Sequence, residues 1–67
     1  MKIILNNNPV ETNASPLSLQ ALTDEFFPGK KMLLCKVNGQ VVKQAERKEY
    51  MIQDGDRVII VPIVAGG

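Results

Sequence analysis

The chain has 67 residues, enough for one domain that buries only about 60% of the surface its unfolded chain exposes, and too few to frame a catalytic cleft between lobes. Its 45% apolar and 22% charged residues are the composition of a folded protein and not of a disordered one. Eight Lys and Arg against seven Asp and Glu leave a formal net charge of +1, far from the basic stripe that counterion-driven nucleic-acid binding needs.

The short pairs Lys30-Lys31 and Arg47-Lys48 read as solvated loop charge. There is no histidine, and the single cysteine, Cys35, has no second thiol to bridge, so Cys/His metal sites and His-based nucleophile activation are disfavoured. The opening MKIILNNNPVE carries one lysine and a short apolar run, unlike a signal peptide or a membrane span. A reducing, cytoplasmic setting is the expectation.

Residues 2 to 5, Lys-Ile-Ile-Leu, read as a β-branched strand. The cluster Asn6-Asn7-Asn8-Pro9 then turns the chain, because Asn tolerates left-handed φ and Pro fixes its own. The returning arm, from about Val10 to Asn13, is polar and reads as an edge strand.

A helix is predicted next. With Ser18 as N-cap, Leu17 and Leu22 occupy the two positions of a hydrophobic staple, and Leu19, Leu22 and Phe26 share one helical face. Pro28-Gly29 ends it. Ser15 with Pro16 at the first helical position offers an alternative start one turn earlier.

In Leu33-Leu34-Cys35-Lys36-Val37 the alternation places Leu33, Cys35 and Val37 on one face, and Asn38-Gly39 supplies the two positive-φ residues of a type I′ turn into Gln40-Val41-Val42. Cys35 reads here as a small buried hydrophobe. Residues 43 to 53 read as an irregular, polar stretch with Tyr50, Met51 and Ile52 as packing anchors. Gly55, within Asp54-Gly55-Asp56, is expected at positive φ. Arg57 to Pro62 forms the last strand, and its continuous apolarity, like that of residues 3 to 5, predicts a strand covered on both sides or central in the sheet.

The order is hairpin, helix, hairpin, loop, strand. If the first and last strands pair in parallel at the centre, the result is an α+β, ubiquitin-like β-grasp: a mixed sheet of four or five strands with one main helix packed across it. An SH3-like or OB barrel would not place a helix this early over the sheet. Residues 1–67 are expected to form a single domain with a flexible C-terminal tail at 63–67.

That tail reads Ile63-Val64-Ala65-Gly66-Gly67. A free terminal carboxylate, with a pKa near 3.5, is ionised at neutral pH and is a poor electrophile until something activates it. Gly66-Gly67, lacking β-carbons, can thread a narrow channel and leave the terminal carbonyl carbon open to attack. Small residues also suit an inert frayed end. The apolar strand and Pro62 just before them favour a reactive tail.

Three segments, Val37-Asn38-Gly39-Gln40-Val41-Val42, Gln53-Asp54-Gly55-Asp56-Arg57-Val58 and Pro62-Ile63-Val64-Ala65-Gly66-Gly67, resemble the ThiS family of sulfur carriers, relatives of the MoaD subunit of molybdopterin synthase and of ubiquitin-like modifiers. The short length and the Val-Ala-Gly-Gly ending look more like ThiS than MoaD. The resemblance implies a protein co-substrate and not an enzyme. An E1-like adenylyltransferase of the ThiF type would use ATP and Mg²⁺ to adenylate the carboxylate of Gly67. Sulfur from a donor such as a cysteine desulfurase would then replace AMP, giving a thiocarboxylate for a thiazole synthase of the ThiG type in thiamine biosynthesis.

By the same resemblance Val64, Ala65 and Gly66 thread the tail into partner channels, and this chain binds no cofactor, metal, nucleic acid or membrane of its own. A MoaD-like donor for molybdopterin, another sulfur branch, a ubiquitin-like modifier and an inert β-grasp module remain alternatives.

Overall fold

The structure is a computed structural model that describes residues 1–13, 16–29 and 32–63. It begins with two antiparallel strands, β1 (Lys2–Leu5) and β2 (Asn8–Glu11). Their turn is Asn6-Asn7 alone, with φ of 49° and 68° at the two residues. The sequence pattern set the turn two residues too long: Asn8 and Pro9 belong to β2, where Pro9 sits opposite Ile4. Proline is tolerated there because the strand is at the sheet edge and the missing N–H would have faced outward.

A two-residue strand, β3 (Leu17–Ser18), leads directly into helix α1 (Leu19–Phe26). The Ser18 hydroxyl accepts from the Ala21 amide at 3.1 Å, so of the two possible starts the chain uses Ser18. Leu17 and Leu22 are both buried, as the staple requires. Phe26, expected on the buried face, is instead exposed. The inward face is Leu19, Leu22 and Thr23, and the half-buried Phe27 just past the helix takes the packing role expected of Phe26. Thr23 can be buried because its hydroxyl donates to the Gln20 carbonyl at 2.8 Å.

The second hairpin, β4 (Leu33–Val37) and β5 (Gln40–Val42), turns at Asn38 (φ 51°) and Gly39 (φ 85°) as predicted. The stretch expected to be irregular is ordered. A 3₁₀ turn (Gln44–Glu46) is followed by β6 (Met51–Ile52), which pairs antiparallel with β3 in a small second sheet. Ile52 is buried and Tyr50 half-buried, but Met51, expected as an anchor, is exposed on the other side of its strand. The largest surprise is Arg47. Expected in solvent, it is buried, and its guanidinium donates to the Leu33 carbonyl while Nε lacks a partner. Lys30 and Lys31 lie outside the described residues.

Gly55, at φ 87°, turns the chain into β7 (Arg57–Pro62). The main sheet has the order β2-β1-β7-β4-β5, with β1 and β7 parallel and every other pair antiparallel. This is the mixed sheet with a parallel central pair that the sequence pattern predicts. One face carries the core: Ile3, Leu5, Leu33, Cys35, Val37, Val42, Val58 and Ile60 meet Leu17, Leu19, Leu22 and Ile52. Central placement of β7 holds, but coverage on both sides does not, because Ile59 and Val61 are exposed. No helix among the described residues is long and apolar enough to cross a membrane.

Candidate functional site

The residues expected to carry the chemistry, Val64, Ala65, Gly66 and Gly67, lie outside the described residues. What the structure gives is the root from which they leave. Leu33 of β4 pairs with Pro62 of β7, and, one residue further along, the Ile63 amide donates to the Met32 carbonyl at 2.9 Å. Pro62 does not break this ladder: the bonds toward β4 fall on the parity of Arg57 and Ile63, the Pro62 nitrogen faces the β1 side, and Ile63 makes the last described tether to the sheet.

Around that root the sheet face opposite the helix is apolar. Leu34 stands across from Val61, and Lys36 stands between Ile59 on one side and Val41 on the other. Alternation along each strand puts Met32, Leu34, Lys36, Val41, Ile59, Val61 and Ile63 on the same outward side. Val41 is 57% exposed, Val61 46% and Ile63 48%, so the stripe is open to solvent and runs to the base of the tail. A contiguous exposed apolar stripe on so small a domain marks an interaction surface. Lys36 is the charge within it; further out on the same side stand Arg57 on β7 and, facing each other, Lys2 on β1 and Glu11 on β2.

The sequence alone points to an apolar sheet surface near the tail as the docking face but does not say which residues are exposed, for a physical reason. An apolar run with no polar residue at either parity looks the same whether the second face is covered by protein or left bare for a partner. The discriminating signal was Lys36, a charge that alternation places on the same side as Ile59 and Val61.

Cys35 faces the other way, into the core, with no exposed surface. Burial pushes its thiol pKa up, and the nearby Arg47 guanidinium pulls in the opposite direction. A desolvated thiol is a poor nucleophile, so Cys35 is a packing residue, as its alternation predicts. Among the described residues no group of Asp, Glu, His or Cys is arranged to hold a metal ion.

This architecture, with parallel first and last strands at the centre of a mixed sheet and one helix across it, is the ubiquitin-like β-grasp. Residues 3–67 match the ThiS family, and the chain belongs to it. The crystal structure of the thiamine biosynthesis protein (ThiS) from Geobacter metallireducens has the same fold, with a TM-score of 0.86, 22% identity and full coverage of both chains. The solution structure of a thiamine biosynthesis protein from the same organism superposes with a TM-score of 0.81 at 22% identity, covering 100% of this chain and 88% of that one. No curated protein sequence matches.

Proposed function

We propose that the protein carries sulfur as a thiocarboxylate on Gly67 and delivers it for thiazole formation in thiamine biosynthesis. The observation that supports this most is the reach of the family match, which runs from residue 3 through Gly66 and Gly67. An ionised carboxylate resists nucleophilic attack, so the first step belongs to a partner: an E1-like adenylyltransferase converts it, with ATP and Mg²⁺, to an acyl-adenylate with AMP as leaving group. The outer sulfur of a persulfide that a desulfurase forms from cysteine then attacks the acyl carbon and expels AMP, and a thiol of the partner cleaves the resulting acyl persulfide, leaving the thiocarboxylate on Gly67 and a disulfide on the partner. The resulting anionic sulfur is delivered by docking, at high effective concentration, to a thiazole synthase.

In this reading the chain's own part is positioning. The apolar stripe of Leu34, Ile59 and Val61 docks the partner, and Lys36 within it favours an acidic group on that partner. Past Ile63, four residues remain, and an extended chain of that length reaches about 14 Å. Glycine at the last two positions admits the tail to a narrow channel.

Intact-mass measurement tests the reading. After incubation with a candidate activating enzyme, ATP, Mg²⁺ and a sulfur source, the protein should gain the mass of one oxygen-to-sulfur exchange. Deleting Gly67, or appending one residue to it, should abolish the gain with the fold unchanged. Sulfur gained by the extended variant overturns the proposal, and a ladder of larger lysine adducts in cells points to a modifier instead. Capture of thiazole synthase, and not of the large molybdopterin-synthase subunit, assigns the pathway.

A further inference from the structure

The main sheet has two edges, and they are finished differently. Across the two-residue turn of the first hairpin, Leu5 with Asn8 and Ile3 with Val10 are the hydrogen-bonded pairs, which turns the main chain of Pro9 outward. Pro9 has no N–H, so this edge cannot take a further strand there. The same reasoning applied to the second hairpin makes Val37 with Gln40 and Cys35 with Val42 the hydrogen-bonded pairs, and turns the N–H and C=O of Val41 outward. Nothing comparable to Pro9 blocks them. Two residues on, the Lys43 amide is already occupied by the Glu46 carboxylate at 3.2 Å, so the open ladder is short and centred on Val41.

Beside this edge runs a cleft of about 380 Å³, lined by Gln40, Val41, Val42, Glu46, Glu49 and Tyr50. Val42 and Tyr50 give it an apolar floor packed on the core. Glu46 and Glu49 are exposed on its wall, and among the described residues no basic side chain lines it to offset them. On an otherwise near-neutral protein, this combination of unpaired main chain, apolar floor and unmatched acid defines a specific complement.

We propose that the β5 edge accepts a short extended segment of a partner protein as an added strand, with basic, apolar and basic side chains in alternation. The segment's main chain pairs with the Val41 N–H and C=O. Its residues opposite Gln40 and Val42 point to the same side as those two and meet Glu46 and Glu49, which is where Lys or Arg belongs. The residue between them lies beside Val41 on the outward face, where an apolar side chain is covered. The site is separate from the tail chemistry and does not depend on it.

The test is an NMR titration of the isotope-labelled full chain with a capped peptide of alternating lysine and valine, about six residues long, the usual length of a strand. Amide shifts should centre on Gly39, Val41 and Tyr50. A matched peptide of alternating glutamate and valine should not bind. The double variant Glu46→Gln with Glu49→Gln, whose side-chain amide at the first of these positions still offers an oxygen to the Lys43 N–H, should weaken binding about 5-fold. Val41→Pro removes only an outward N–H and should abolish binding while the amide spectrum elsewhere stays native. Absence of binding, equal binding of the acidic peptide, or shifts centred on Ile59 and Val61 or on α1 overturns the proposal. So do concentration-dependent shifts of Gly39 to Val42 without peptide, which would give the edge to a second copy of this chain.

Discussion

The side-chain amide of Asn6 pairs with the main chain of Ile60 at both ends: Nδ2 donates to the Ile60 carbonyl at 3.0 Å, and Oδ1 accepts from the Ile60 amide at 2.8 Å. The Asn6 backbone amide reaches the Val58 carbonyl at 2.9 Å, so the side chain continues the parallel β1–β7 ladder where the backbone has already turned away. Asn38 does the same at the other hairpin. Its Oδ1 accepts from the Arg57 amide at 3.0 Å and its backbone amide donates to the Arg57 carbonyl at 2.8 Å. Asn6 and Asn38 thus each help set a turn and also fix β7, the strand that leads to the tail.

Asn6→Gly keeps the left-handed turn and loses the two side-chain bonds to Ile60. Its expected cost is about 1–3 kcal/mol in urea unfolding, at roughly 0.5–1.5 kcal/mol for each bond. Asn6→Ala adds the strain of a β-carbon at positive φ and should cost about 1 kcal/mol more. Hydrogen exchange at the Ile60 amide should quicken in both. Unchanged protection at Ile60 would show that the bonds contribute little.

Arg47 is expected to be replaceable by an apolar side chain of similar size. Its buried guanidinium satisfies one carbonyl and leaves Nε without a partner, so desolvation offsets most of what the bond to Leu33 contributes. Arg47→Met should shift unfolding stability by less than about 1 kcal/mol in either direction. Arg47→Ala, which also opens a cavity, should cost at least about 2 kcal/mol. Equal losses in the two variants would mean that the charge itself is needed.

Cys35 gives the pH dependence. Its thiol pKa is raised in the folded protein by burial, so the folded state holds the proton over a pH range where the unfolded chain releases it. The associated stability is fully present below the unfolded pKa, about 8.5, and declines as pH rises from there toward the folded value. Cys35→Ala should lose stability at neutral pH by creating a small cavity, and should show a flatter decline between about pH 8.5 and 10. Alkylation of the native protein by iodoacetamide should be slow and should accelerate on unfolding. Fast native alkylation would contradict the buried placement.

Ile59→Glu and Val61→Glu probe the outward stripe. Both side chains are exposed, so unfolding stability should change by no more than about 1 kcal/mol, the whole span of strand propensity. Sulfur loading by the activating enzyme should fall at least about tenfold, mainly through weaker docking, because a charged carboxylate replaces apolar contact at the centre of the docking face. Loading at the normal rate with both variants would remove this face from the encounter.

The elements with a local cause were legible in the sequence. The type I′ turn at Asn38-Gly39, the Ser18 cap, the Leu17–Leu22 staple and the alternation of Leu33, Cys35 and Val37 are set by neighbours a few residues apart. Features set by distant chain were not. Burial of Arg47 depends on where the Leu33 carbonyl falls, 14 residues away, and β6 exists only because β3 lies opposite it. Phe26 and Phe27 differ by a single step around the helix end, which periodicity alone cannot decide. The bare outer face depends on what is absent above it, and a sequence pattern carries no record of that.

The parallel pairing of Ile4 with Arg57 and Leu5 with Val58 has a consequence for how the molecule is made. β1 and its central neighbour lie more than fifty positions apart in the chain, so β7 is translated well after β1. Until then the nascent chain holds two hairpins and a helix with no strand to join them, a topology of high contact order that closes slowly. Completion of the sheet therefore waits for β7, so a translation product truncated before Arg57 would have no assembled outward face.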